Sequence, residues 1–339
     1  MARFPVSDHC DGERFFNPHA PAGRSFADVW RWMRTRERTP WPASLPPPRT
    51  HPPPPARVDP GAAAVTFIGH STFLIRTRSM ALITDSVFTA HAGPFGRLGP
   101  PRVRPPAIAL RDLPRVDLVL VSHNHYDHLQ RSSLRAFGDA AIVTALGVGR
   151  HLPPPQSDPV VSAFRRKMSA FRRNVFELDW WQDVRVGDAT VTAVPAQHFS
   201  ARTPWDRNAT LWCGFVVQAD GVTIYFAGDT GYMPQFAEIG RRFPSIDVAL
   251  LPIGAYEPRW FMTPIHMNPD DAVRAHVDLR PRVSVGMHFG TFQLTDEGID
   301  DPVRALDRAR VGHAIAPEAF RVLDFGETAI FAAAVEEHP

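Results

Sequence analysis

Residues 116–128 read Val116-Asp117-Leu118-Val119-Leu120-Val121-Ser122-His123-Asn124-His125-Tyr126-Asp127-His128. The first half is nearly all apolar and β-branched, which predicts a strand buried on both faces and ending at Val121. The second half puts three imidazoles and one carboxylate within six residues, at the exposed end of a rigid element. A strand followed by a tight loop can aim His123 and His125 at one metal ion and turn Asp127 and His128 toward a second. Zinc accepts imidazole nitrogen at about 2.0–2.1 Å and carboxylate oxygen at about 2.0–2.2 Å. A solvated polar loop explains any one of these residues. It does not explain His-x-His-x-Asp-His set directly after an apolar strand.

A two-metal site needs further ligands, and other strand ends supply them. His198 follows the run Ala189–Val194, Asp229 follows Thr223–Ala227, and His288 follows Val283–Met287. A histidine at a strand end is more often structural than a ligand. Three such residues accompanying the first cluster are read together with it as ligands.

The rest of the chain bounds this reading. Its 339 residues allow one large domain or two modest ones. Hydrophobic residues make up 44% and charged residues 21%, so a globular core is expected. The net charge of +2, from 37 basic and 35 acidic residues, gives no field that argues for nucleic acid. Cys10 and Cys213 are too few and too far apart for a disulfide framework, so a reducing compartment is expected. No apolar run reaches the roughly 18 residues that span a bilayer. The N-terminus lacks the apolar stretch of a secretory signal. The expectation is a cytoplasmic protein that can still touch a membrane at its surface.

Two regions follow from the pattern. Residues 1–60 read as an N-terminal arm. Ser25 caps a helix running to Arg38, and ten of the 35 prolines fall between Pro40 and Pro60, which enforces extended chain. The arm either packs on the main domain or uses Trp30 and Trp32 against a membrane or partner. Residues 61–339 read as the main domain, which carries the candidate metal site. Strands are expected at Val65–Ile68, Thr72–Ile75, Ala81–Thr84, Val116–Val121, Ala141–Thr144, Ala189–Val194, Leu211–Gln218, Thr223–Ala227, Val248–Pro252 and Val283–Met287. Helices are expected at Gln130–Phe137, Met233–Arg242, Pro269–Val277 and Pro302–Ala309, with Asn268 and Asp301 as caps. Runs of strands with helices between them predict sheets covered by helices.

The order of histidine motif, later His, Gly-Asp-Thr and final His resembles the metallo-β-lactamase superfamily. That likeness implies an α/β (α+β) fold, an αββα sandwich of two mixed sheets flanked by helices. The chain resembles more closely the N-acylphosphatidylethanolamine-hydrolysing phospholipase D family. The likeness is carried by Ile68-Gly69-His70-Ser71-Thr72, by Ser122 to Leu129 and by Glu177-Leu178-Asp179-Trp180-Trp181. Phe226 to Tyr232, Pro252 to Met262 and His288-Phe289-Gly290-Thr291-Phe292 extend it over roughly residues 8–328. It implies two Zn²⁺ per chain, one held by His123, His125 and His198, the other by Asp127, His128 and His288, with Asp229 bridging. Iron or manganese in one site is compatible with these ligands. It further implies a nucleophilic hydroxide between the metals, with Asp127 and Asp229 catalytic, and a homodimer. Metals about 3.5–4 Å apart stabilise attacking and leaving oxygens together.

Other positions are open. His266 matches a family position near the substrate phosphate, where it binds phosphate or protonates the leaving oxygen; a local hydrogen bond at a helix start is the other reading. Tyr256 and Arg259 are candidate substrate contacts, although Trp260 and Phe261 beside them suggest packing. His70 is either a structural hydrogen-bonder or a residue that orients a ligand, and Asp85 is a carboxylate placed to orient a ligand histidine. Trp180 and Trp181 read as core. The basic segment 162–173 departs from the family pattern and reads either as a solvated face or as an interfacial helix on anionic lipid. The functional expectation is a dinuclear zinc phosphodiesterase cleaving N-acylphosphatidylethanolamine-like lipids to phosphatidic acid and N-acylethanolamine. A lactonase, esterase or phosphodiesterase acting on a small phosphorylated metabolite uses the same site. A binding protein with structural metals is the remaining rival, and it is disfavoured because structural zinc sites close with four ligands.

Overall fold

The short apolar runs pair with one another according to where their backbone donors find partners. In the computed structural model, which describes residues 3–20, 24–154 and 174–333, they form two seven-stranded sheets among the described residues. The first holds β1 (Ala62–Gly69), β2 (Thr72–Arg76), β3 (Ala81–Thr84), β4 (Leu118–Val121), β5 (Ala141–Ala145) and β6 (Val175–Leu178), with β14 (Thr328–Ala332) at the far edge beside β1. The second holds β7 (Asp183–Val186), β8 (Ala189–Val194), β9 (Gly214–Ala219), β10 (Val222–Phe226), β11 (Val248–Pro252), β12 (Val283–Met287) and β13 (Phe320–Arg321), in the order β13-β12-β11-β10-β9-β8-β7.

Each sheet is half antiparallel and half parallel. The pairs β14/β1, β1/β2 and β2/β3 are antiparallel, and β3 to β6 run parallel. The pairs β7/β8, β8/β9 and β9/β10 are antiparallel, and β10 to β13 run parallel. Parallel neighbours need crossover connections, and these carry helices that cover a sheet face. The helix Pro269–Leu279 contacts β11 and lies between the helices Gln235–Arg242 and Asp301–Gly312. The expected αββα sandwich is what the chain forms.

The core lies between the sheets. Every residue of β1, β4, β5 and β11 is buried. Phe67 packs on Phe73 and Phe325 at ring-centroid distances of 4.9 and 4.7 Å. Burying one such side chain contributes about 1.5–3 kcal/mol, so this aromatic cluster fixes how the sheet edge meets the Phe325 loop.

The N-terminal residues tie into this core. Cys10 and Phe15 belong to it, and His9 stacks on Trp180 at 4.2 Å. Ser25 caps the helix Phe26–Thr35 through a capping box with Asp28. Trp32 of that helix stacks on Phe261 at 4.9 Å and donates to Asp296 at 2.7 Å, whereas Trp30 is exposed under Arg34. The proline-rich stretch 36–59 carries no helix or strand.

Several sequence expectations need adjustment. β6, β7, β13 and β14 were not anticipated. All four are short, and the alternating exposure of β7 and β14 leaves few apolar residues in a row. Asp301 is the first helical residue rather than the cap. Its carboxylate accepts from the Gly298 N–H at 2.7 Å and closes the preceding turn instead. The segment 162–173 lies outside the described residues. Among the described residues no helix is long and apolar enough to cross a membrane.

Candidate metal centre

The parallel strands end at one edge of the sandwich, and their following loops converge there. His123, His125, Asp127 and His128 come after β4, His198 after β8, Asp229 after β10 and His288 after β12. Two residues from earlier in the chain join them: His70 in the β1–β2 turn and Asp85 after β3. Gly228 makes the turn into Asp229 with φ +60°, and a Cβ there would lie 2.7 Å from Ser122 Cβ. Only glycine lets the Asp229 loop come this close to the histidine loop.

The side chains fall into groups with metal-ligand spacing. His123, His125 and His198 form one. The ring nitrogens of His123 and His125 lie 2.8 Å apart, and His198 Nε2 lies 3.2 Å from His125 Nδ1. His70, Asp127, His128 and His288 form another. Asp127 Oδ2 is 3.1 Å from His70, 3.4 Å from His288 and 3.5 Å from His128. Asp229 Oδ2 stands between the groups, 3.1 Å from both His128 and His288, 3.9 Å from His198 and 4.0 Å from His266.

This arrangement calls for a cation. His128 Nε2, both His288 nitrogens, His266 Nδ1 and Asp229 Oδ1 are buried and have no hydrogen-bond partner of adequate geometry among the described residues. Such orphaned donors and acceptors are costly unless something else satisfies them. Burial pushes His125 down to about 3 and His198 down to about 4, and it holds His123 and His266 well below the ordinary histidine value. These rings are neutral and present lone pairs, the form in which histidine binds metal. Burial opposes charge on His128 and His288 as well, yet the Asp229 and Asp127 carboxylates outweigh it and raise both, His288 to about 9. The donor set of imidazole and carboxylate suits zinc, iron or manganese alike.

The surroundings orient the ligands. Asp85 Oδ2 lies 2.6 Å from His128 Nδ1, and it also accepts from Ser122 Oγ at 2.6 Å. The Ser122 N–H donates to Asp85 Oδ1 at 2.8 Å, and Ser122 Oγ sits 2.9 Å from His123 Nδ1. With both Nδ1 atoms occupied this way, His128 and His123 turn Nε2 toward the groups. His198 Nδ1 donates to the Ile265 carbonyl at 2.9 Å, and Asn17 of the N-terminal arm donates to the His198 carbonyl at 2.8 Å.

The remaining candidates separate. His266 adjoins Asp229 and His198. Arg259 does not point its guanidinium at open space: Nη1 donates to the His266 carbonyl at 3.0 Å and Nη2 pairs with Asp271 at 2.6 Å. Tyr256 lines a separate cleft of about 580 Å³ with Arg36, Asp296 and Arg308. Trp180 is buried and donates to the Trp212 carbonyl, while Trp181 packs under Arg242. Sequence reading passed over Ser122 and Asn17. The only signal for Ser122 was its position beside the motif, and Asn17 gave none, because its partner is far away in sequence.

A family model for the beta-lactamase superfamily domain matches residues 82–289, the stretch that carries the seven residues His123, His125, Asp127, His128, His198, Asp229 and His288. The chain belongs to the metallo-β-lactamase superfamily. Among superfamily relatives, an uncharacterised protein of Mycobacterium tuberculosis is 39% identical over 74% of this chain and 64% of its own length. The chain therefore spans just under two thirds of that relative. The N-acyl-phosphatidylethanolamine-hydrolyzing phospholipase D 1 of Caenorhabditis elegans is 35% identical over 77% of this chain and 74% of its own. Among solved structures, a metallo hydrolase from the archaeon Ignicoccus hospitalis superposes with a TM-score of 0.54 at 22% identity, covering 80% of this chain and 98% of that one. That last likeness is one of superfamily fold.

Proposed function

We propose that this chain is a dinuclear zinc hydrolase of phospholipase D type, cleaving N-acylphosphatidylethanolamine-like lipids at the phosphodiester bond distal to the glycerol. The observation that carries the two-metal part is the position of Asp229 Oδ2, within 3.1–3.9 Å of His128, His288 and His198. In this reading His123, His125 and His198 hold one metal, Asp127, His128 and His288 the other, and Asp229 both. When bound, such a metal pair supplies activation of water near neutral pH and neutralisation of phosphoryl charge.

The chain's own residues do the rest. Asp85 and Ser122 keep His128 and His123 in the tautomer that presents Nε2. His266, kept neutral by burial, can donate an N–H to a phosphoryl oxygen. Arg259 fixes its backbone through the carbonyl. A lipid substrate is supported by the similarity to the worm phospholipase D and by an apolar wall beside the first group. The Phe199 ring lies 4.5 Å from His125 and 4.9 Å from His198, with Phe261, Met262, Ile265 and Trp32 clustered behind it. Phe199, the partly exposed member of this wall, would offer an acyl chain apolar contact beside the ligand group. Peripheral membrane contact and a homodimer are part of the same proposal.

The test is mass spectrometry of products from zinc-loaded protein and N-acylphosphatidylethanolamine in mixed micelles, with Asp127→Asn as control. Phosphatidic acid plus N-acylethanolamine, absent in the control, upholds the proposal. Turnover of a generic activated phosphodiester without turnover of the lipid keeps the metal chemistry and discards the substrate. Metal analysis of protein purified without added metal, if it found mainly iron, would overturn zinc.

A further inference from the structure

The outer side of the histidine loop borders a second cavity that the proposed reaction does not use. It has a volume of about 630 Å³, and Arg97, Arg131, Arg135, Arg150, Arg202 and His151 line it together with Tyr126 and Gln130. No Asp or Glu is among the described lining residues. Here five guanidinium groups share one concavity. Arg97 and Arg131 are exposed and make no ion pair among the described residues.

The cavity is built rather than incidental. Arg202 is part-buried, stacks over the Tyr126 ring at 3.9 Å, and donates from Nη1 to the Asn124 carbonyl at 2.6 Å and the Leu129 carbonyl at 3.0 Å. It thereby clasps both ends of the loop that carries His125, Asp127 and His128. Arg150 donates to the Ala209 carbonyl at 2.8 Å. These bonds to neutral acceptors hold the two guanidinium groups in place, with the nearby Asp206 carboxylate outside the cavity lining offsetting only part of the positive charge gathered here. His151 is pushed down to about 4 by burial and then by Arg150 and Arg202, so it adds a neutral donor and acceptor rather than a sixth charge. Phe95 stands on the rim 89% exposed, an apolar surface that the body of an organic ligand would cover.

We infer that this cavity is a binding site for a phosphate monoester dianion, distinct from the metal centre and set against the outer side of the histidine loop. Several guanidinium forks around one concavity favour a dianion over a singly charged diester, because each fork can take two phosphate oxygens. The volume exceeds what inorganic phosphate fills, so the ester carries a small organic body or is the headgroup of a lipid such as phosphatidic acid. The inference does not depend on the lipid hydrolysis proposed above.

The experiment is calorimetric titration of the full chain with glycerol 3-phosphate. Phosphate also binds metals, so Asp229→Asn is titrated in parallel. Arg97→Gln/Arg131→Gln changes two exposed residues, with Arg131→Lys as the charge-keeping control and circular dichroism as the check on folding. The expected result is one site in both wild type and Asp229→Asn. The double arginine variant should weaken it by about tenfold or more, the equivalent of one charge-assisted contact, and Arg131→Lys should largely retain it. Affinity should fall as salt is raised. Sedimentation with phosphatidylcholine vesicles, with and without phosphatidic acid, separates the two sources of the phosphate. Arginine-dependent binding to either the soluble ester or the acidic vesicles upholds the site. Unchanged affinity in the double arginine variant, or binding that vanishes in Asp229→Asn, overturns it.

Discussion

Asp85 Oδ2 lies 2.6 Å from His128 Nδ1, and both side chains are fully buried. The same oxygen accepts from Ser122, whose hydroxyl adjoins His123. One carboxylate therefore sets the orientation of a histidine in each of the two proposed ligand sets. Asp85→Asn replaces an acceptor with an N–H donor facing these groups and should turn one of the histidines away. Metal affinity, read by competition with a chromophoric chelator, is expected to fall about 10–100-fold with the fold retained. Unchanged affinity would show that the pair is only packing.

Gly228→Ala tests the close approach of the Asp229 loop to the histidine loop. The new methyl would meet Ser122 Cβ at 2.7 Å in a backbone conformation with φ +60°. Denaturant unfolding should show a loss of about 1–3 kcal/mol. Bound metal should fall as well, because the adjustment displaces Asp229. Wild-type stability and metal content together would refute the steric argument.

Arg259 is proposed to act through His266, by holding its carbonyl at 3.0 Å while anchored on Asp271. Arg259→Lys keeps the charge but cannot make both contacts at that geometry. Phosphodiesterase kcat is expected to drop by about 10–100-fold while metal content stays at the wild-type level. A change confined to KM, with kcat intact, would instead support direct substrate contact.

His9 gives the fold a pH dependence away from the metal centre. Its Nε2 lies 2.7 Å from Asp179 and its Nδ1 2.6 Å from Asp8, so both nitrogens are placed to donate. Burial opposes the charge, but the two carboxylates outweigh it and raise the ring above its ordinary value of 6.5. A raised folded-state value means the folded chain binds this proton more tightly than the unfolded one. The associated stability is complete below about pH 6.5 and is lost as pH rises through the higher folded value. His9→Gln should flatten that part of the stability-against-pH curve, measured by urea unfolding in steps from pH 6 upward. A curve of unchanged slope would mean that the ring stays neutral in the folded state.

Much of this was legible in the chain. β4 and the cluster after it are contiguous, so the apolar run and the polar residues it projects appear in one short window. The ends of β8, β10 and β12 could be marked in the same way, because each buried run is followed within a short loop by an ionisable residue. The strand expected at Leu211–Gln218 begins at Gly214 instead. Leu211, Trp212 and Cys213 are as buried as a strand but make irregular bonds, including Cys213 N–H to the Ser122 carbonyl at 3.1 Å. Burial and regular pairing look alike in sequence. Arg259 and Tyr256 stood close together in one aromatic block, and the fold sends one toward His266 and the other into a different cleft.

The sequence by itself determined which ionisable side chains follow the buried strands, because residue type and hydrophobic period are local properties of the chain, and its resemblance to a known superfamily implied the sandwich that presents them. Tertiary structure alone decided which atoms meet. Asp85 is 43 residues from His128 and Asn17 is 181 from His198. Arg202 reaches its loop across more than 70 residues. Contacts of that kind exist only after strand pairing has brought distant loops to one sheet edge, where directional hydrogen bonds and uncompensated charge select partners that no local pattern encodes.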